Sequence, residues 1–201
     1  FRWPGGLAGK RVLDAPIRVE GWSPENFDGE FRGNVSLTEA LARSLNSAAV
    51  RVSEATGRAR VIATARRLGI STPLEPRPSL ALGSFETTLM DLTAAYAVIA
   101  NSGRAVHPHG VLEIAANNKR LWRAGAPVAP QVASATASAA LARMLEAVVN
   151  DGTGRAARLN RPVFGKTGTS QEFRDAWYIG WSGEIVAGVW MGNDDNAPMQ
   201  G

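Results

Sequence analysis

The chain has 201 residues, 45% of them apolar and 20% charged, so it is long enough to bury one sizeable core. Its 22 basic and 18 acidic residues are scattered without a basic run, which argues against nucleic-acid binding. The absence of cysteine excludes disulfides and thiolate chemistry, and no apolar run reaches the roughly 18 residues of a membrane-spanning helix.

The first half of the chain is predicted to begin with loops and to continue with helices. Residues 1–35 are rich in glycine, proline and other turn residues, which favours extended segments and loops. Ser36 and Glu39 form a capping box, so a helix is expected to begin at about Leu37. Further helices are predicted where apolar residues recur at helical spacing before a closing glycine, at residues 59–69, 87–103 and 133–152.

The remaining segments have the composition of strands. A hairpin is expected over residues 110–124, with its turn at Asn117 and Asn118, because asparagine tolerates positive φ. Short aromatic or β-branched segments then predict adjacent antiparallel strands, at residues 163–169, 176–182 and 184–193. These elements predict an α/β fold of the α+β type, in which helices flank an antiparallel sheet.

One of the chain's three lysines, Lys166, lies in the run GKTGTS. On a strand, this run presents an ammonium, hydroxyls at Thr167 and Thr169, and a glycine, Gly168, that lets a substrate backbone approach closely. Such a strand suits a peptide that ends in a carboxylate, because hydroxyls and a nearby cation bind carboxylates. The alternative is a strand with a solvated lysine beside a tight turn. Successive side chains of a regular strand point to opposite faces, so Lys166 should lie on the opposite face from both threonines unless the strand is bulged or twisted.

A second pair of polar residues, Ser44 and Asn46, follows the helix that Ser36 opens. Two residues apart, their side chains would diverge around a continuous helix. They converge on one pocket only if the chain breaks there, with Asn46 capping the next helix. The alternative for Asn46 is a plain helix cap.

The order of these elements matches a known family. Ser-Leu-Asn at 44–46 and Lys-Thr-Gly at 166–168 correspond to the S-x-N and K-T-G elements of penicillin-binding proteins. Over nearly its whole length the sequence resembles the transpeptidase domain of a class A, bifunctional penicillin-binding protein. Four blocks carry this resemblance, at residues 13–52, 79–104, 152–159 and 165–194.

The resemblance implies a serine-type D-Ala-D-Ala transpeptidase that cross-links peptidoglycan stem peptides and binds penicillin. Ser44 would relay a proton toward the leaving-group nitrogen. Lys166 would maintain the path of proton transfer and the positive potential of the site. Asn46 would bind the amide of the donor peptide. Thr167 and Thr169 would bind the terminal carboxylate of D-alanine or of a β-lactam. The backbone N–H of Thr169 would also form half of an oxyanion hole.

The sequence departs from the family pattern at the nucleophile. That residue is the serine of an S-x-x-K element upstream of S-x-N, and no serine here has a lysine three positions later. We therefore interpret residues 1–201 as the carboxy-terminal part of a transpeptidase domain, inactive by itself. The expected partners are a stem peptide ending in D-Ala-D-Ala and β-lactam antibiotics, with no nucleic acid, cofactor or metal.

The resemblance also implies a location on the extracytoplasmic, periplasmic face of the bacterial membrane, through an anchor outside this chain. Two other functions remain open: hydrolysis of the same acyl-enzyme, as in a carboxypeptidase or β-lactamase, and a penicillin-recognising sensor or degenerate binding module. Glu86 is interpreted as a favourable charge at a helix start. His107 and His109 are interpreted as a surface turn, and residues 193–195 as a solvated strand end.

Overall fold

The computed structural model describes residues 10–125 and 129–199. Two short strands, β1 (Arg11–Asp14) and β2 (Gly33–Ser36), form an antiparallel pair that leads directly into the first helix. The first half continues with four helices, α1 (Leu37–Ala42), α2 (Asn46–Thr56), α3 (Arg58–Arg67) and α4 (Leu89–Ala100). In the described ranges no helix has the length and apolar character needed to cross a membrane.

The second half contains a hairpin, a long helix and a three-stranded sheet. Strands β3 (Glu113–Ala116) and β4 (Lys119–Arg123) form the hairpin, and both turn residues, Asn117 and Asn118, have the predicted positive φ, 49° and 59°. Helix α5 (Ala135–Asp151) follows. The antiparallel sheet then has the order β5 (Phe164–Thr169), β6 (Asp175–Ser182), β7 (Ile185–Gly192).

Helices cover the three-stranded sheet, which confirms the predicted α+β architecture. Helix α4 packs against β6 and β7, and α5 packs against β5 while also contacting α1. The side chains buried most deeply between these layers are aliphatic: Val98, Val148, Val149 and Ile179. A separate apolar cluster joins β1, β2, α1 and α2 through Val12, Val35, Ala40, Leu45 and Ala48. Helix α5 therefore connects the end of α1 to strand β5.

Hydroxyl caps begin three of the helices, and the cap at Ser36 is the one that the capping box predicts. Ser36, Thr88 and Ser134 each accept a hydrogen bond from the backbone N–H three residues later, at 3.0–3.1 Å. Helices α2 and α3 begin without a side-chain cap from the preceding residue. The expectation that Asn46 caps α2 is wrong, because Asn46 is its first helical residue and the preceding Leu45 makes no side-chain cap.

Candidate active site

Helix α1 ends in a turn that directs Ser44 out of the helix. The Ser44 N–H donates to the Leu41 carbonyl at 3.1 Å, and the Leu45 N–H donates to the Ala40 carbonyl at 2.9 Å. These are the two bonds of a Schellman motif, whose left-handed position is normally glycine. Ser44 occupies that position with φ 57°. A non-glycine residue there costs about 1–2 kcal/mol, so the hydroxyl is kept at a strained position in the predicted break between α1 and α2.

Lys166 contacts this hydroxyl from strand β5, 122 residues further along the chain. Its Nζ donates to Ser44 Oγ at 3.0 Å and to the Thr167 carbonyl at 2.8 Å. Both acceptors are uncharged, and burial removes the ammonium from water, which lowers the pKa of Lys166 to about 8. A lysine that titrates this close to neutrality, bonded to a hydroxyl, has the properties required of a proton relay.

The strand that carries Lys166 is regular. Strand β5 pairs with β6 one to one over all six of its residues, so the strand has no bulge. Lys166 lies opposite Ile179, and Thr167 lies opposite Tyr178, so the two side chains leave the strand on different faces. The lysine stem is long enough for the ammonium to bend back to the Thr167 carbonyl. The Lys166 ammonium therefore reaches the backbone carbonyl of Thr167, while the Thr167 hydroxyl lies on the other face of the strand.

Thr153 also contacts the site, and sequence reasoning did not single it out. It lies in the Gly-Thr-Gly segment that follows α5, and its Oγ1 is 2.6 Å from Thr167 Oγ1. Its backbone N–H donates to the Ala42 carbonyl at 3.1 Å. Gly152 permits this approach, since a Cβ there would lie 2.1 Å from the same carbonyl. The sequence places Thr153 between two glycines, within one of the four blocks that carry the family resemblance.

Asn46 is held at the start of α2 by residues of the preceding loop. Its Nδ2 donates to the Glu25 carbonyl at 2.7 Å. Its backbone N–H donates to Asn26 Oδ1 at 2.8 Å, so Asn26 provides the cap that Leu45 lacks. Helix α2 therefore begins with an asparagine whose side chain is fixed from outside the helix.

A buried carboxylate lies behind this arrangement. Asp14, at the end of β1, is fully buried and accepts hydrogen bonds from Ser47 Oγ at 2.5 Å and from the Arg32 N–H at 2.9 Å. The Asn26 Nδ2 lies 3.0 Å from both of its oxygens. Burial alone raises the pKa of Asp14, but these hydrogen bonds outweigh burial and hold the pKa below its ordinary value. An ionised Asp14 thus orients Asn26 and Ser47 on either side of Asn46.

The remaining predicted residues lie on β5. Thr169 is the last residue of the strand and is exposed, and it shares a strand face with Thr167. Ser44, Lys166 and Thr167 are connected by direct hydrogen bonds. The site therefore lies between the turn that joins α1 to α2 and β5, the edge strand of the three-stranded sheet.

The two glycines of the GKTGTS run have different surroundings, and their alanine variants should differ in stability. A Cβ at Gly165 would lie 2.3 Å from Tyr178 Oη, whereas a Cβ at Gly168 would lie 3.3 Å from Trp177 Cβ. We expect Gly165→Ala to lower the free energy of unfolding by about 1–3 kcal/mol through overpacking and Gly168→Ala by less. Chemical denaturation of both variants measures this difference, and equal losses would contradict it.

The other polar candidates lie outside this site. His109 Nδ1 is 3.1 Å from the carbonyl of His107 in an exposed loop, and the described residues contain no group of three or more potential metal ligands. Glu86 is exposed and precedes the Thr88 cap of α4. Residues 193–195 directly follow β7. These positions agree with the interpretation of Glu86 as a charge at a helix start and of residues 193–195 as the end of a strand.

Comparison with known proteins identifies the family. The family description "Penicillin binding protein transpeptidase domain" matches residues 9–192. The chain is 41% identical over 180 residues to penicillin-binding protein 1A of Aquifex aeolicus, and 32% identical over 196 residues to penicillin-binding protein 1B of Vibrio cholerae. These matches cover 89% and 93% of this chain but only 25% of each relative.

Solved structures agree with this result. Penicillin-binding protein 1A from Haemophilus influenzae has a TM-score of 0.88 at 25% identity, covering 96% of this chain and 36% of that one. The PonA1 protein from Mycobacterium tuberculosis, in complex with penicillin V, has a TM-score of 0.86 at 26% identity, covering 96% of this chain and 57% of that one. The chain therefore belongs to the penicillin-binding protein transpeptidase domain family, and its relatives place it among the class A members.

Proposed function

We propose that the protein containing this chain is a serine-type D-Ala-D-Ala transpeptidase that cross-links peptidoglycan stem peptides and is acylated by β-lactams. The observation that carries the proposal is the 3.0 Å hydrogen bond from Lys166 Nζ to Ser44 Oγ. It joins two elements that are remote in sequence, and it places a lysine with a pKa of about 8 on a strained, exposed serine.

In this reaction a nucleophilic serine attacks the carbonyl carbon of the penultimate D-alanine, and the bond to the terminal D-alanine breaks. Ser44 passes a proton to the departing amine nitrogen, Lys166 returns a proton to Ser44, and the proton that the nucleophilic serine loses on attack restores the Lys166 ammonium. An amine of a neighbouring stem peptide then attacks the acyl-enzyme ester and releases the serine oxygen. The net result is one peptide bond broken and one formed.

The side chains around this pair supply binding. The hydroxyls of Thr167 and Thr169 receive the terminal carboxylate, and the Asn46 amide binds the donor peptide. Gly168, which has no side chain, admits the substrate backbone along β5, and the Thr169 N–H donates to the developing oxyanion.

The nucleophile belongs to an S-x-x-K element outside these 201 residues, and residues 1–201 form the carboxy-terminal part of the domain. Two facts support this assignment. No serine in the chain has a lysine three positions later, and the chain spans about a quarter of its class A relatives. Because peptidoglycan lies outside the cytoplasmic membrane, the site faces the extracytoplasmic, periplasmic side.

Labelling with a fluorescent penicillin tests this proposal. We expect the 201-residue chain to remain unlabelled, and a longer chain that includes the S-x-x-K element to be labelled, because an acyl bond requires the serine oxygen. A denaturing gel separates the outcomes, since only a covalent adduct survives boiling in detergent. Stoichiometric labelling of a serine within these residues would reassign the nucleophile. Failure of a folded longer chain to label would favour a non-catalytic binding module.

The acceptor preference separates transpeptidation from hydrolysis. A labelled longer chain should transfer its acyl group to an added D-amino acid or stem-peptide amine faster than to water. Mass spectrometry of the released products measures this ratio. A product mixture dominated by the free acid would indicate a carboxypeptidase or β-lactamase activity.

The affinity for anionic β-lactams should depend on pH through Lys166. Below its pKa of about 8 the ammonium is charged and attracts the carboxylate, whereas above that pKa it is neutral. The penicillin concentration at half-maximal acylation rate should therefore rise as the pH increases through about 8. In Lys166→Arg this inflection should disappear, because arginine stays charged over the same range. An unchanged inflection in that variant would assign the titration to another group.

A further inference from the structure

The hydroxyl of Thr153 lies at the carboxylate-binding end of the site. Thr153 is exposed, and its Oγ1 lies 2.6 Å from Oγ1 of Thr167, on the segment that joins α5 to β5. Neither the S-x-N nor the K-T-G element contains it. The distance lies within the range of an O–H···O hydrogen bond, so one of the two hydroxyls donates to the other.

We propose that Thr153 and Thr167 form one carboxylate-binding unit, with Thr153 a binding residue for the terminal carboxylate of the donor peptide and of β-lactams. The proposal rests on the proposed function and specifies its substrate subsite further. It assigns to Thr153 a contact with the ligand that the K-T-G residues alone do not supply.

The Thr153–Thr167 pair has one hydroxyl proton available for a ligand. Two hydroxyls carry two protons, and one of them lies in the bond between Thr153 and Thr167. Whichever oxygen donates, the other hydroxyl keeps a free proton for an outside acceptor. Donation within the pair polarises the outward O–H and strengthens its bond to an anion. A carboxylate is the acceptor that this outward donor, with the Lys166 ammonium nearby, favours most.

The backbone holds Thr153 in place independently of its side chain. The Thr153 N–H donates to the Ala42 carbonyl at 3.1 Å, and the N–H groups of Gly152 and Gly154 both donate to the Val148 carbonyl, at 3.1 and 3.0 Å. A Cβ at either glycine would crowd these carbonyls. Removal of the hydroxyl should therefore change ligand binding without loosening the segment.

The same backbone bond connects the carboxylate site to the proton relay. Ala42 is the last residue of α1 and lies two positions before Ser44. Thr153 thus contacts the end of α1 through its backbone and β5 through its side chain. This double attachment sets the spacing between the carboxylate of a bound ligand and the Ser44 hydroxyl.

Acylation kinetics of the full-length protein with benzylpenicillin test the proposal. Thr153→Val, which keeps the shape and removes the hydroxyl, should raise the half-saturating penicillin concentration about tenfold or more, as expected for a lost bond to a charged group. The limiting acylation rate should change less than threefold, and Thr153→Ser should restore binding. The matched control is Thr64→Val on α3, where the hydroxyl donates to the Arg60 carbonyl outside the site.

A ligand without the carboxylate gives an independent readout. The methyl ester of benzylpenicillin should bind weakly to the native protein and to Thr153→Val alike, so the difference between them should vanish. Melting temperatures of all variants identify any loss of folding, and Thr153→Ala provides a second replacement if the valine variant is unstable.

The outcomes separate this inference from the proposed function. If the native full-length protein is acylated but Thr153→Val and Thr153→Ala bind penicillin as well as it does, Thr153 is not a binding residue. If both variants lose the limiting rate and keep the binding constant, Thr153 acts on the relay and the assignment is wrong. If the native protein is not acylated at all, the proposed function fails first.

Discussion

Lys166→Ala and Ser44→Ala should each lower the rate of acylation by a β-lactam about 10²-fold or more in the full-length protein, because each removes a proton-transfer group. The double variant should lose little more than either single one, since the two groups act through one hydrogen bond of 3.0 Å. Stopped-flow acylation measures these rates. Rates within threefold of the native protein for both single variants would reject their roles.

Controls for this experiment exist within the chain. Lys119→Ala removes an exposed lysine of the β3–β4 hairpin and should leave acylation unchanged. Ser44→Gly removes the same hydroxyl as Ser44→Ala but relieves the strained φ of 57°. It should therefore be inactive yet more stable by about 1 kcal/mol. A loss of stability in Ser44→Gly would show that the serine side chain supports the fold.

Asp14→Ala should destabilise the protein by about 3 kcal/mol or more, because it leaves the buried donors of Ser47, Asn26 and Arg32 without their acceptor. Chemical denaturation measures the loss. Asp28→Ala, which removes an exposed partner of Arg32, is the matched control and should cost less than about 1 kcal/mol. Similar losses in the two variants would show that the buried hydrogen bonds of Asp14 stabilise the protein no more than the exposed ion pair of Asp28 does.

The pH dependence of stability provides a second test of Asp14. Its pKa in the folded protein is below the ordinary aspartate value, so its contribution is complete above that ordinary value. The contribution should be lost as the pH falls through the lower, folded-state pKa. Denaturation curves of the native protein and of Asp14→Asn should therefore converge in acid and separate as the pH rises. Parallel curves would mean that the pKa of Asp14 is the same in the folded and the unfolded protein.

Local patterns in the sequence predicted most of the secondary structure. The hydroxyls of Ser36, Thr88 and Ser134 mark helix starts because a cap bond spans only three residues. The Asn117–Asn118 turn was predictable for the same reason, since positive φ is a property of the residues in the turn. Asn46 was misassigned as a cap because the true capping group, Asn26, lies 20 residues earlier in the chain.

The sequence by itself determined that an S-x-N element and a K-T-G element are present, and in what order, because both can be recognised without any contact. Only the tertiary structure decided how they meet. The Ser44–Lys166 bond, the Thr153–Thr167 pair and the Asp14–Ser47 bond join residues 122, 14 and 33 positions apart. Such contacts depend on how α1, α5 and β5 pack. Local periodicity carries no information about distances between segments that are remote in sequence.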